Sequence, residues 1–357
     1  MNAKARLCIV SAFLASIALV ALLRPARMSP QAAADAAQPL TTSQAGDATP
    51  TMAGYLPIIL NDESRSPSPS PQMTATPGGQ VPVFSHVFII VMENEAYEQI
   101  IGNSSAPYLN SLAQRYAVAT NYYGVGHPSL QNYIALVGGD TFGISTDCTD
   151  CFVNAPNLVD QLEAAGKSWK AYMEDMPSAC FVGDWGTLYR QKHNPFIYFD
   201  DIRQDAARCN KIVPFSQFDA DLRAGALPDY VWITPNMCHD IHDCALKDGD
   251  AWLQTWVAKI LASPAWQQGG VLFITWDEAP LRDSSGCCQY AAGGHILTLV
   301  LSPLGRAAYR SPVAYDHYSL LRTIEESWKL PPLAKAACAC SAPMADVFTP
   351  MTTGQRP

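Results

Sequence analysis

From Val81 onward, strand-like apolar runs alternate with helix-like stretches, and this alternation restricts the chain to a mostly parallel sheet covered by helices. An α/β architecture with helices on both faces of a central sheet is the expectation. The apolar runs place strands at His86–Met92, Trp169–Met173, Tyr230–Thr234, Val271–Thr275 and Ile296–Leu301. Helical periodicity falls at Ala106–Arg115, Leu130–Val137, Asn157–Ala165, Ala251–Ala262 and His317–Trp328, with Gly166 placed to end the third. In such sheets, polar residues just past the carboxyl ends of strands converge on a ligand crevice. Glu93-Asn94, Asn236 and Asp277-Glu278 each follow a predicted strand in this way. Any one of them alone reads as a solvated turn; three together mark a site.

The organisation before Val81 is different. Lys4 and Arg6 precede an uncharged run from Leu7 to Leu23, followed by Arg24 and small residues, so residues 1–36 read as an export signal or an uncleaved N-terminal anchor. Residues 37–80, with Ser66-Pro-Ser-Pro-Ser-Pro71, are too poor in apolar groups to fold and read as a linker. Residues 81–357 then form one catalytic-sized domain. Ten cysteines follow Cys8, an even number suited to disulfides in an oxidising compartment, so the protein is expected to be secreted, periplasmic or displayed at the cell surface. They are spaced locally, as Cys148 and Cys151, Cys180 and Cys209, Cys238 and Cys244, Cys287 and Cys288, and Cys338 and Cys340; the spacing leaves the connectivity open, and only Cys238 with Cys244, which bracket His239, Asp240 and His242, is expected as a specific bridge. If residues 7–23 stay uncleaved, they offer a membrane attachment. The formal charge is −9 with basic residues scattered, which argues against nucleic acid as a partner.

Gly126-His-Pro-Ser-Leu-Gln-Asn-Tyr133 sets a serine directly before a helix, where its oxygen and the first free amides face one anion. The plainer reading of Ser129 is an N-cap. Asn132 lies on the same side of that turn. His127, His193, His239 and His242 fall in separate motifs rich in Asn, Asp or Pro, whereas His86 reads as structural. Glu93, Asp277 and Glu278 would repel one another and any phosphate unless a cation sat among them, and an oxygen-rich ligand set favours Mg, Ca or Mn over Zn.

Taken in order, Val91-Met-Glu-Asn-Glu-Ala-Tyr97, His127-Pro-Ser-Leu-Gln-Asn132, Lys192-His-Asn-Pro195, Pro235-Asn-Met-Cys238, His242-Asp-Cys244, Thr275-Trp-Asp-Glu278, Gly294-His295 and Tyr315-Asp-His-Tyr-Ser-Leu-Leu-Arg322 resemble the bacterial phosphoesterase family of secreted acid phosphatases and phospholipases C. The resemblance implies an alkaline-phosphatase-like fold, Ser129 as nucleophile, and one divalent metal ion held by Glu93, Asn94, Ser129, Asp277 and Glu278. It is strongest toward acid phosphatases, some acting on phosphatidylinositol 3-phosphate. Asn236 and Asp240 stand where two-metal relatives of the wider superfamily carry further ligands, which puts a second metal in doubt.

The mechanism that follows has Ser129 attack phosphorus to give a phosphoserine that water hydrolyses. Asn132, Lys192 and Asn236 are expected to hold phosphate oxygens. His127, His193, His239, His242 and His295, with Asp240 among them, are expected to protonate the leaving group and stabilise charge. The expected partner is a phosphorylated small molecule or a phosphoinositide or phospholipid headgroup. A phospholipase C-type phosphodiesterase is the alternative, and a non-catalytic surface binding module is a further one.

Overall fold

The computed structural model describes residues 79–350. The leader and all of the linker except its last two residues lie outside the described residues. Among the described residues, nine strands form one sheet: β1 (Val87–Met92), β2 (Ala117–Tyr123), β3 (Trp169–Met173), β4 (Ile212–Pro214), β5 (Tyr230–Thr234), β6 (Val271–Trp276), β7 (His295–Leu301), β8 (Arg310–Ser311) and β9 (Tyr315–Asp316). Their order is β4-β3-β5-β1-β6-β7-β2-β8, with β9 also paired to β2. From β4 to β6 every neighbour is parallel, and β7 alone runs antiparallel to both its neighbours. The expected α/β class is therefore what the chain forms.

Every residue of β1, β5 and β6 is buried, as both-face coverage by helices requires, and this is why these strands read as unbroken apolar runs. Each large side chain buried this way contributes roughly 1.5–3 kcal/mol. Register aligns the carboxyl ends. Val87 pairs with both Tyr230 and Val271, so the residues after β1, β5 and β6 emerge along one edge of the sheet.

Helices around the sheet start where local chemistry allows. Asn157 accepts from the amide of Val159 while Asp160 accepts from the amide of Asn157, a reciprocal cap on Leu158–Ala164, and Gly166 turns the chain away at φ +70°. The helix expected over 251–262 instead spans Leu246–Leu261. Its early start puts Gly249 inside a helix, which weakens a propensity-based reading; a Cβ there would sit 2.4 Å from Ile241 Cγ1, so only glycine lets this helix approach the 239–241 loop.

β2 and the helix Ser216–Ala224 were absent from the sequence-based expectation. Thr120 and Asn121 interrupt the apolar run of β2, at the point where its pairing with β7 shifts register. Phe218 is the one buried residue of that helix, which leaves little apolar periodicity. The expected Cys238–Cys244 bridge is present, and the other local neighbours are joined as Cys148–Cys151, Cys180–Cys209, Cys287–Cys288 and Cys338–Cys340. Among the described residues no helix is long and apolar enough to cross a membrane.

Candidate active site

Parallel register brings Glu93 and Asp277 side by side: the Asp277 amide donates to the Met92 carbonyl at 2.9 Å, and the Asn94 amide donates to Asp277 Oδ1 at 3.1 Å. Asn94 takes the left-handed backbone (φ 54°) that this reversal needs and that asparagine tolerates. Gly124 lets the next loop close over them. A Cβ on it would lie 2.7 Å from the Asp277 carbonyl oxygen, and the chain then runs through His127 to Ser129.

Ser129 makes no cap hydrogen bond. Its hydroxyl donates instead to Glu93 Oε2 at 3.1 Å, and Lys192 Nζ donates to Ser129 Oγ at 3.4 Å. Capping is thus displaced by an arrangement in which a buried serine oxygen stands between an ammonium and a carboxylate.

Glu93 is fully buried. Burial pushes its carboxyl up, but the charge of the adjoining His193, with Lys192 and the Tyr133 hydroxyl, outweighs that and holds it at about 2. Tyr133 donates to Glu93 Oε1 at 2.7 Å, and its ring stacks on His193 with centroids 5.1 Å apart. His193 lies between two carboxylates, Nε2 at 3.0 Å from Glu93 Oε1 and Nδ1 at 3.3 Å from Asp240 Oδ2. Those contacts are charge contacts more than aligned hydrogen bonds, since both His193 Nε2 and Asp240 Oδ2 lack a hydrogen-bond partner. Burial lowers the His193 ring, yet the neighbouring carboxylates raise it to about 9.

Asp277 and Glu278 behave in the opposite way. Burial first, then repulsion from Glu93 and Glu278, pushes Asp277 well above the carboxylate range, and Glu278 is raised to about 8 by burial, Glu93 and Asp147. Asp277 Oδ2 is buried without any hydrogen-bond partner. An orphaned carboxylate oxygen among mutually repelling acids fits a hard cation, with Glu93, Asn94, Ser129 and Glu278 as the neighbouring oxygen donors. Among the described residues, the one trio of Cys, His, Asp or Glu side chains offering atoms within 4.8 Å of each other is Cys287, Cys288 and Asp316, whose sulfurs are already bonded together. The carboxylates of Glu93, Asp277 and Glu278 do not draw together into such a trio.

Other expected residues take different places. Both ends of the Asn132 amide are occupied: Oδ1 accepts from the Val125 and Gly126 amides, and Nδ2 donates to the Gly126 carbonyl and, at 3.4 Å, to Glu278. Asn132 braces the loop carrying His127 and Ser129 instead of facing outward for phosphate. Asn236 similarly caps the amides of Cys238 and His239 and donates to Asp175. His127 is held by Glu278 at 2.7 Å and the Asp283 carbonyl at 2.8 Å. His295 pairs with Glu98 and the Thr120 carbonyl, stacked on Tyr97, with no hydrogen bond to the Ser129 cluster.

The remaining two histidines each have one nitrogen occupied. His239 Nδ1 pairs with Glu174 and His242 Nδ1 with Asp243, and among the described residues neither Nε2 has a hydrogen-bond partner. The hydrogen bond to Glu174 raises the His239 ring. The His242 ring lies 6.1 Å from that of His193. Asp240 links this segment to the centre, because its carbonyl accepts from the Glu93 amide at 2.9 Å.

A model of the phosphoesterase family matches residues 103–331, which contain Ser129, Lys192, His193, Asp240, Asp277 and Glu278. The chain belongs to the phosphoesterase family. Among curated relatives, a probable acid phosphatase of Kluyveromyces lactis is 32% identical, covering 71% of this chain and 60% of that protein. A phosphatidylinositol-3-phosphatase of Mycobacterium tuberculosis is 32% identical, covering 74% of this chain and 82% of that protein. The chain spans about three fifths of the length of the fungal acid phosphatases it matches. Among solved structures, a Vibrio parahaemolyticus protein of the alkaline phosphatase superfamily overlays with a TM-score of 0.48 at 13% identity, covering 71% of this chain and 69% of that one.

Tyr133, Asp147, Glu174 and His317 also stand around the cluster and were not among the expected site residues, although His317 lies within the Tyr315–Arg322 motif. Tyr133 closes the Gly126–Tyr133 segment, where it reads as part of an apolar helix face. Asp147 accepts from the Leu130 amide at 3.1 Å and from Lys192 Nζ at 3.0 Å, from an irregular loop. Glu174 follows β3 as Glu93 follows β1, so the strand-end rule could have found it. His317, buried at the start of the last long helix, meets the Asp277 carbonyl at 2.6 Å.

Proposed function

We propose that this chain hydrolyses phosphate monoesters, as an acid phosphatase whose substrates include phosphorylated small molecules and phosphoinositide headgroups, with Ser129 as nucleophile. The observation that carries the reading is the orientation of Ser129 Oγ, turned from its helix toward Glu93 and Lys192. A hydroxyl used for capping would not face a carboxylate and an ammonium at once.

In this reading Glu93 accepts the hydroxyl proton's hydrogen bond and orients the oxygen, while Lys192 stabilises the oxygen as it becomes anionic and draws in a phosphate oxygen. Burial lowers the Lys192 ammonium, but Glu93 and Asp147 together raise it, so it stays charged. As Oγ attacks phosphorus its proton passes to Glu93 and the bond to the alcohol oxygen breaks, leaving a phosphoserine; water then attacks phosphorus, giving a proton to the histidine that had protonated the alcohol, and Oγ leaves as the hydroxyl with the proton from Glu93. The alcohol oxygen needs a proton. His242 is the histidine best suited to give it, with a free Nε2, partial exposure and a ring beside His193; His239 is second.

Asp277, Glu278, Glu93, Asn94 and Ser129 would hold one divalent ion, Mg, Ca or Mn, which when bound lowers the proton affinity of the serine oxygen and offsets phosphate charge. The chain's own residues build that pocket. His317 fixes the Asp277 backbone, and His127 fixes Glu278. Export through residues 1–36 belongs to the same proposal.

The test is phosphate release by the full chain from matched monoesters and diesters, with and without chelator. Free phosphate from monoesters, lost on chelation and restored by one of these ions, is the expected result. Release of a phosphorylated headgroup from diesters, with monoesters untouched, would instead make the chain a phospholipase C-type phosphodiesterase.

A further inference from the structure

Ser129 stands at the N-cap position of the helix Leu130–Gly138 and makes no cap hydrogen bond. Asp147 does that work in its place. Its Oδ1 accepts from the Leu130 amide at 3.1 Å, which sets a carboxylate at the helix N-terminus, where negative charge is favoured. Its Oδ2 accepts from Lys192 Nζ at 3.0 Å, and Nζ in turn donates to Ser129 Oγ at 3.4 Å. The contacts close a ring from Asp147 through Lys192 to Ser129 and, across one peptide bond, through Leu130 back to Asp147.

Lys192 has a second carboxylate to go to. Its stem is four flexible carbons long, and its ammonium is attracted by Glu93 as well as by Asp147. Among the described residues, Asp147 is the one carboxylate paired with it. Glu93 Oε2 is the acceptor for the Ser129 hydroxyl, so an ammonium drawn onto Glu93 would compete with that hydroxyl and leave Oγ without its cation. The pairing with Asp147 keeps Nζ on Oγ.

The anchor itself is held. The Cys148–Cys151 disulfide follows Asp147 directly, Tyr198 OH donates to the Cys148 carbonyl at 2.8 Å, and Gln191 Nε2 donates to the Thr149 carbonyl at 2.8 Å. Gln191 is buried and is the chain neighbour of Lys192, so the two segments are clamped together beside the Asp147–Lys192 pair. A charge placed in advance spares the reaction the cost of placing it.

We propose that Asp147 is a positioning residue for the reaction: it caps the Ser129 helix in the serine's stead, which leaves the hydroxyl free to attack, and it holds the Lys192 ammonium on Oγ. The inference rests on the phosphomonoesterase reading above.

Asp147→Asn separates the two tasks, because the amide oxygen still accepts from Leu130 while the amide nitrogen cannot accept from Lys192. The full-length variant should melt close to wild type, yet its kcat for p-nitrophenyl phosphate should fall roughly 10–100-fold with KM changed less than about threefold. In a Lys192→Ala background the same substitution should change kcat less than about twofold, because Asp147 then has no ammonium to place. A cap that only stabilised the helix would cost the same factor in both backgrounds. Wild-type kcat in Asp147→Asn overturns the proposal, as does an equal loss with and without Lys192. A crystal structure of Asp147→Asn reads the placement without turnover: Lys192 Nζ should lie beyond hydrogen-bond reach of Ser129 Oγ, and an unmoved Nζ overturns the proposal. If the wild type releases no phosphate from any monoester, the catalytic reading fails, and the crystal structure alone decides whether Asp147 places Lys192; it also stands in for the cycle where Lys192→Ala falls below detection. Should Asp147→Asn not fold, Asp147→Ser, which also offers a capping oxygen, goes through the same measurements with the same expected results.

Discussion

Glu325 contributes stability that is present at acid pH and lost toward alkaline pH. It lies on the buried side of the helix His317–Ser327, where its Oε1 accepts from the Leu333 amide at 2.8 Å and its Oε2 has no partner. Burial, only partly countered by the Leu333 amide and Gln161, raises this carboxyl from 4.5 to about 8. The folded protein therefore keeps a proton that the unfolded chain has released between those two values. With more protons bound in the folded state, stability falls as pH rises through that window, by about 1.4 kcal/mol for each pH unit, and is fully retained below it. Glu325→Gln keeps the acceptor and removes the titration. Thermal melts of the full chain followed by circular dichroism should give nearly equal Tm for wild type and Glu325→Gln near the lower end of the window. At its upper end the variant should melt roughly 5 °C or more above wild type, since 1 kcal/mol moves Tm by about 2–4 °C in a domain of this order of size. A Tm difference that does not grow with pH would refute the linkage.

Tyr133→Phe removes a hydrogen bond to a buried carboxylate and should cost about 1.5–3 kcal/mol in denaturant unfolding, together with part of the activity; no change in either would mean that Glu93 does not depend on it. Asp277→Asn should weaken ion affinity and turnover together, with recovery at high ion concentration. Full activity of this variant in chelator would count against a cation at the site. Reducing Cys238–Cys244, which brackets His239, Asp240 and His242, should cost activity before it costs fold, because the closed loop is short and its entropic contribution small. Activity and far-UV signal measured across a reductant series would show the order, and simultaneous loss would contradict it.

The parallel core was legible because strands buried on both faces leave long apolar runs and their carboxyl ends fall in register. That rule located Glu93, Asp277, Glu278 and Asn236 without any coordinates. It could not say which polar side chains would spend themselves on backbone. Asn132 and Asn236 were read as phosphate holders, and their amides are occupied by the turns that carry Ser129 and His239. Ser129 presented the reverse difficulty: its surroundings read as a cap, and only the approach of Glu93 and Lys192 from distant segments turns the hydroxyl away. Asp147 contacts the site from a loop whose local pattern carries no period, whereas Glu174, directly after β3, was open to the same strand-end rule. β2 escaped because its register shift is set by pairing with β7, more than 170 residues later in the chain.

The central claim is that Ser129 carries the phosphoryl group. Rapid mixing of the full chain with a radiolabelled monoester, acid quench and peptide mapping should find label on the peptide containing Ser129, and Ser129→Ala should trap none while keeping a melt within about 1 kcal/mol of wild type. Label on a histidine, or hydrolysis by Ser129→Ala at the wild-type rate, would contradict it.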